Sequence, residues 1–237
     1  MDNYQVNPFK EHELENVKEK YRQKFKKGES INKAYGTSLI AAAITPWYWF
    51  AYHIGDGRFS VLYPDGSGEQ PVPCDEKCFL NVTTSICDDD ILEREQRNPV
   101  TNDMEPAGVR SFLSFHVDRP PPIAFFLCTD GIDDNYPIEG NEKHLYRLYR
   151  TIAVTFVDDG YESTCGEDGT SGQLKELANE FATKGKDDTS IAGFIDMDTL
   201  KQVVPIWKKQ IIEEALAENV IEKKIQDETE ADEKGEI

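Results

Sequence analysis

Long apolar runs are missing from this 237-residue sequence, as are a basic surplus and any regular cysteine pattern. No stretch approaches a membrane span, and the opening Met1-Asp2-Asn3-Tyr4 lacks the charged-then-apolar layout of a signal peptide. A reducing cytoplasm is therefore the expected compartment. Lysine and arginine number 26 against 45 aspartates and glutamates, a net charge of −19. That field repels a nucleic-acid backbone and argues against such a partner. It suits divalent cations and basic regions of other proteins. The five cysteines (Cys74, Cys78, Cys87, Cys128, Cys165) include one C-x3-C pair, but no second Cys/His pair follows at zinc-like spacing. They read as structural thiols. Neither a repeat nor a linker divides the chain, so one domain over residues 1–225 is expected. Residues 226–237, ending DETEADEKGEI, are expected to be a disordered acidic tail.

What is present is an aromatic share of 11%, enough for a core. Leu14, Val17, Tyr21 and Phe25 recur at helical steps and predict an amphipathic helix over 9–27, with Gly28 as its stop. The runs AYGTSLIAAAI, WYWFAYHIG and RFSVLYPDGSG predict three strands in an antiparallel meander, closed by turn chemistry at Pro64-Asp65-Gly66. Residues 88–122 read as an irregular excursion ending in three prolines. The strand IAFFLCTD follows, then a helix near 141–157, a loop DDGYESTCGEDGTSG, a helix around Leu174–Phe181 and the strand TSIAGFID. A last helix is expected over 198–225, with Pro205 kinking it or delaying its start. So many buried strands predict two mainly antiparallel sheets packed face to face, with helices outside.

Three apolar strands run into acids. They are FAYHIGDGRF with Asp56, FFLCTDGIDD with Asp130 and Asp134, and KGKDDTSIAGFID with Asp187 and Asp188. One Asp-Gly after a strand is usually a turn, and Asp65-Gly66 is read as that. Three such corners point elsewhere, because like charges repel and burial deepens the repulsion. Strands lying side by side would gather the carboxylates at one edge. Oxygen ligands from separated strands suit magnesium or manganese.

The segments YGTSLIAAAI, FAYHIGDGRFSVLYPDG, LCTDGIDDNY and KDDTSIAGFID stand in the order and approximate spacing of the metal-dependent type 2C protein phosphatases. The chain resembles the bacterial branch of that family over about residues 30–196. The motifs stand here as Gly36-Thr37-Ser38, Gly55-Asp56-Gly57-Arg58, Thr129-Asp130-Gly131 and Asp187-Asp188-Thr189-Ser190. The resemblance implies a four-layer α-β-β-α sandwich of the α+β class. It also implies hydrolysis of phosphoserine or phosphothreonine in proteins, with two or three Mg2+ or Mn2+ ions in a complete site. Asp130 and Asp187 would bind the core ions, and Asp134 with Asp56 would lie at an outer, weaker site. Asp188 takes the place of the usual asparagine and is expected one step back from the ions. Asp133 is read as a solvated acid.

Two family motifs have no counterpart before Gly36. One is a first-strand arginine with an acidic partner. The other is an aspartate-glycine-histidine-glycine segment whose aspartate bridges the core ions. The resemblance thus implies a family member that starts late, lacks its first strands and is inactive or only weakly active. It also implies a sheet edge left open for a homodimer. The rival reading is a non-catalytic binding module that keeps the fold. A calcium loop is discounted, since CDDDI at 87–91 lacks the glycine and distal glutamate of such a loop.

Overall fold

The computed structural model describes residues 15, 17–27, 36–72, 78, 83–98, 101–117, 120–137, 140–168 and 171–235, with side chains to residue 218. Strand β1 (Leu39–Ile44) pairs antiparallel with β2 (Tyr48–Ile54), in register from Leu39 opposite Ile54 to Ile44 opposite Trp49. Thr45 shapes the turn between them, its hydroxyl oxygen accepting from the amides of Trp47 and Tyr48 at 3.2 and 3.0 Å. The other edge of β2 holds β7 (Arg110–Phe115). The expected meander ends there. Strand β3 (Arg58–Leu62) joins a second antiparallel sheet with β4 (Gly68–Glu69), β8 (Ala124–Cys128) and β9 (Ile191–Ile195), in the order β4-β3-β8-β9. Between β2 and β3 the chain changes sheets. Gly55 has φ of +110°, and a Cβ on Gly57 would lie 2.5 Å from the Cys128 carbonyl oxygen, so both positions exclude side chains.

The excursion over 88–122 holds more structure than its composition suggests. β5 (Glu95–Arg97) and β6 (Met104–Pro106) form a small ribbon, and β7 follows it. β7 is hidden from a hydrophobic pattern because its inward residues are Arg110, Phe112 and Ser114, so its buried face alternates the wrong way.

Side chains from both sheets interlock between them. Trp49, Ala51, Phe59, Val61 and Phe125 are buried there, with Ile40, Ala42 and Phe112 packed against them. The far face of the second sheet carries Leu62, Ala124, Phe126 and Cys128. It is covered by α3 (Asn141–Asp158), through Leu145, Tyr149 and Ile152, and by α6 (Met197–Gly235), through Leu200, Val204 and Trp207. The fold is α+β with sheets face to face. Among the described residues, helices cover one outer face only. On the other, Tyr52, Leu113 and Phe115 are about half exposed. The helix α1 (Glu19–Lys26) buries no residue and forms the later part of the helix expected over 9–27, of which 9–14 and 16 lie outside the described residues.

Three further elements complete the chain. The one-turn α2 (Asp130–Asp133) and the short α4 (Gly160–Cys165), the latter in a stretch expected to be loop, flank α3, and α5 (Gln173–Gly185) precedes β9. Pro205 does not delay α6. Asp196 caps that helix first, accepting from the amides of Asp198 and Thr199 at 3.1 and 3.2 Å and from the Thr199 hydroxyl at 2.7 Å. The backbone of α6 runs to Gly235. Among the described residues no helix is long and apolar enough to cross a membrane.

The two faces of the first sheet should answer differently to truncation. Trp49→Ala, at the closed interface, is expected to cost about 3–5 kcal/mol. Leu113→Ala, on the open face, should cost about 1 kcal/mol or less. Urea denaturation of both variants measures this; equal losses would mean the outer face is covered after all.

Candidate metal centre

Thr129 follows Cys128, the last residue of β8, and three hydrogen bonds fasten it to the chain entering β9. The Thr129 amide donates to the Ser190 carbonyl at 3.1 Å, the Thr129 hydroxyl donates to the Asp188 carbonyl at 3.0 Å, and its oxygen accepts from the Ser190 amide at 2.9 Å. This lock brings Asp130 and Asp187 to the same corner. Gly131 permits it, since a Cβ there would lie 2.5 Å from the Asp188 carbonyl oxygen. The chain then makes the single turn of α2. The Asp134 amide donates to the Asp130 carbonyl at 2.8 Å, so the two side chains share one face.

Carboxylate oxygens of Asp130, Asp134 and Asp187 lie within 4.8 Å of one another. Asp130 is half-buried; the other two are exposed. Asp187 also accepts from the Asp188 amide at 2.7 Å. Asp56 stands outside this trio, held by a hydrogen bond from the Thr83 hydroxyl, but its charge reaches Asp130. Burial pushes the Asp130 carboxyl above its ordinary range, and the charges of Asp56, Asp187 and Asp134 push it further. Asp188 lies beside the trio and contributes its main chain to the lock.

Asp133 corrects the expectation of a solvated acid. It is 4% exposed and ion-paired with Arg58, because the turn of α2 aims it inward, away from the face of Asp130 and Asp134. Burial raises its pKa, with Arg58 opposing the rise. Sequence reasoning also passed over Thr129, Thr83 and Arg58. Thr129 and Arg58 stand in the motifs Thr129-Asp130-Gly131 and Gly55-Asp56-Gly57-Arg58, whereas Thr83 carried no signal. Cys128 is buried packing: the Tyr149 hydroxyl donates to its sulfur at 3.0 Å, and burial lifts the thiol to about 11.

Three converging carboxylates offer a hard, all-oxygen donor set, and their mutual repulsion is relieved by a cation. The donors therefore fit a divalent ion. Beside this geometry stands a sequence match: the protein phosphatase 2C profile covers residues 3–177. The chain belongs to the protein phosphatase 2C family, whose members are metal-dependent serine/threonine phosphatases. The match begins before the first recognised motif and stops short of Asp187. Among solved structures, similarity extends to a bacterial serine phosphatase at 13% identity, covering 68% of this chain and 57% of that one, with a TM-score of 0.33. It extends also to the Mycobacterium tuberculosis serine/threonine phosphatase PstP at 18%, covering 68% and 60%, TM-score 0.36. The Staphylococcus aureus serine/threonine phosphatase Stp1 is similar at 19%, covering 80% and 70%, TM-score 0.37. The chain thus spans less than two thirds of the first two. Likeness this distant adds nothing to the assignment, which the sequence match carries. Compared with curated protein sequences, the chain gives no significant match.

A raised carboxyl pKa makes a sign-definite prediction. Ionised Asp130 costs the metal-free fold stability above its raised pKa, and the cost vanishes as pH falls below the ordinary value of 3.8. Asp130→Asn should therefore raise the melting temperature of metal-free protein at neutral pH and lose that advantage in acid. Thermal melts across pH in chelator measure it. A variant less stable at neutral pH would contradict the repulsion.

Proposed function

We propose that the chain is a metal-dependent phosphoserine/phosphothreonine protein phosphatase domain of the family's bacterial branch, weakly active in this form. The observation that carries the reading is the meeting of Asp130, Asp134 and Asp187 at one corner of a protein phosphatase 2C chain. Asp130 and Asp187 would hold the inner cation, with Asp134 and Asp56 towards an outer one and Asp188 one step back. Carboxylate-only donors favour Mg2+ or Mn2+, two or three ions in a complete site. Such ions supply an activated water and balance charge on the transferring phosphoryl group. The chain's own part is alignment. The Thr129–Ser190 lock keeps Asp130 facing Asp187, and Thr83 restrains Asp56.

Phosphoproteins are the proposed substrates and the cytoplasm the proposed location, which the free thiols of Cys78, Cys87, Cys128 and Cys165 support. β9 is the outer strand of its sheet, and Ala192, Gly193 and Phe194 on it are exposed. That edge is the proposed homodimer contact. A non-catalytic binding module is the second reading. One feature favours it: residues 1–35 contain no Asp-Gly pair, hence nothing like the bridging aspartate.

Hydrolysis of p-nitrophenyl phosphate and of a phosphothreonine peptide with Mn2+ separates the readings. Residues 1–237 should turn over slowly. A longer chain carrying an aspartate-glycine-histidine-glycine segment should be at least about a hundredfold faster, a difference of about 3 kcal/mol in the barrier. Asp130→Ala should abolish the faster rate. Turnover indifferent to Asp130→Ala would sink the metal reading. Robust turnover by the short chain, lost on Asp130→Ala, would mean that another group completes the site.

A further inference from the structure

Arg58 reaches in two directions. One guanidinium nitrogen donates to the Asp56 carbonyl at 2.6 Å, and the other is ion-paired with Asp133. Arg58 also pairs in register with Cys128, one residue before Thr129. Asp133 sits in α2 between Asp130 and Asp134, and the turn it belongs to is only four residues long. A single helical turn does not hold itself in water, because its nucleation is unfavourable. It is held from outside. The Asn135 side-chain amide donates to the Gly131 carbonyl at 2.7 Å and to Phe181 of α5 at 3.3 Å, and Asn141 of α3 donates to the Asp133 carbonyl at 3.1 Å. On the Asp56 side, Arg110 donates to the Gly55 carbonyl at 2.6 Å. Beside the backbone pairing of β3 with β8, the Arg58–Asp133 pair links the turn of α2 to the Asp56 side through side chains.

We propose that the Arg58–Asp133 pair is a strut that sets the position of Asp130 and Asp134 relative to Asp56, making both members positioning residues for the cation. The guanidinium fork suits this role, since it can bind a carbonyl and a carboxylate at once in fixed geometry, which a lysine cannot. The consequence for cation binding rests on the metal reading above; the strut itself does not.

The test uses the full chain, Asp133→Asn, Arg58→Gln and the double variant. Hydrogen exchange of amides 129–136 is followed without metal, and Mn2+ binding by calorimetry. Each single substitution should speed exchange over this segment and weaken Mn2+ binding about tenfold, as losing the support behind a ligand does. The double variant should be no worse than either single, because one shared interaction is lost once. If Arg58→Gln unfolds the chain by leaving Asp133 buried and unpaired, the double variant, free of both charges, still gives the comparison with Asp133→Asn. Unchanged exchange over 129–136 in Asp133→Asn, even with a lower melting temperature, would overturn the strut. So would strictly additive losses. Wild-type protein that takes up no Mn2+ would sink the metal reading, while the exchange results would still decide the strut.

Discussion

Repulsion among carboxylates is the constraint around which this corner of the molecule is built. Asp130, Asp134 and Asp187 stand within 4.8 Å, with Asp56 close enough to act on Asp130. Left to itself a chain spreads such charges into water. Here backbone geometry overrules that tendency. Thr129 is hydrogen-bonded to Asp188 and Ser190, so Asp130 follows one strand end and Asp187 precedes the neighbouring one. The fold absorbs an electrostatic cost that a bound dication would reverse.

That cost is tolerable because the elements beneath are firmly packed. β8 lies centrally in its sheet, between β3 and β9, with Phe125 on the face shared with the first sheet and Phe126 stacked on Tyr149 of α3. A strand buried on both faces resists displacement, so the acids at its end cannot relax by moving it. Glycines at 57 and 131 complete the arrangement by admitting backbone where a side chain would collide. The site is thus a property of strand order and close backbone approach more than of the acids themselves.

A second charge pattern lies beneath the first. Arg58 and Asp133 put a compensated pair just under the exposed acids, and Asp133 would otherwise add one more negative charge to the cluster. Acids of one short turn and its cap therefore face opposite ways: Asp130 and Asp134 towards the cluster, Asp133 inward. Two aspartates adjacent in sequence have different chemistry because a helical turn separates them by about 100°.

The sequence by itself determined the α+β class, the strand ends that carry acids, and the candidates Asp130, Asp134, Asp187, Asp56 and Asp188. Those follow from apolar periodicity and from motif order, which are local. Only the tertiary structure decided which strand joins which sheet, since β3 leaves β2 through a glycine at positive φ while a distant strand, β7, takes its place. It alone revealed β7, whose buried Arg110 and Ser114 conceal a strand from any hydrophobicity pattern. It alone separated Asp133 from its neighbours, because whether an aspartate meets water or a guanidinium depends on a residue 75 positions away in the sequence, brought close by the pairing of β3 with β8.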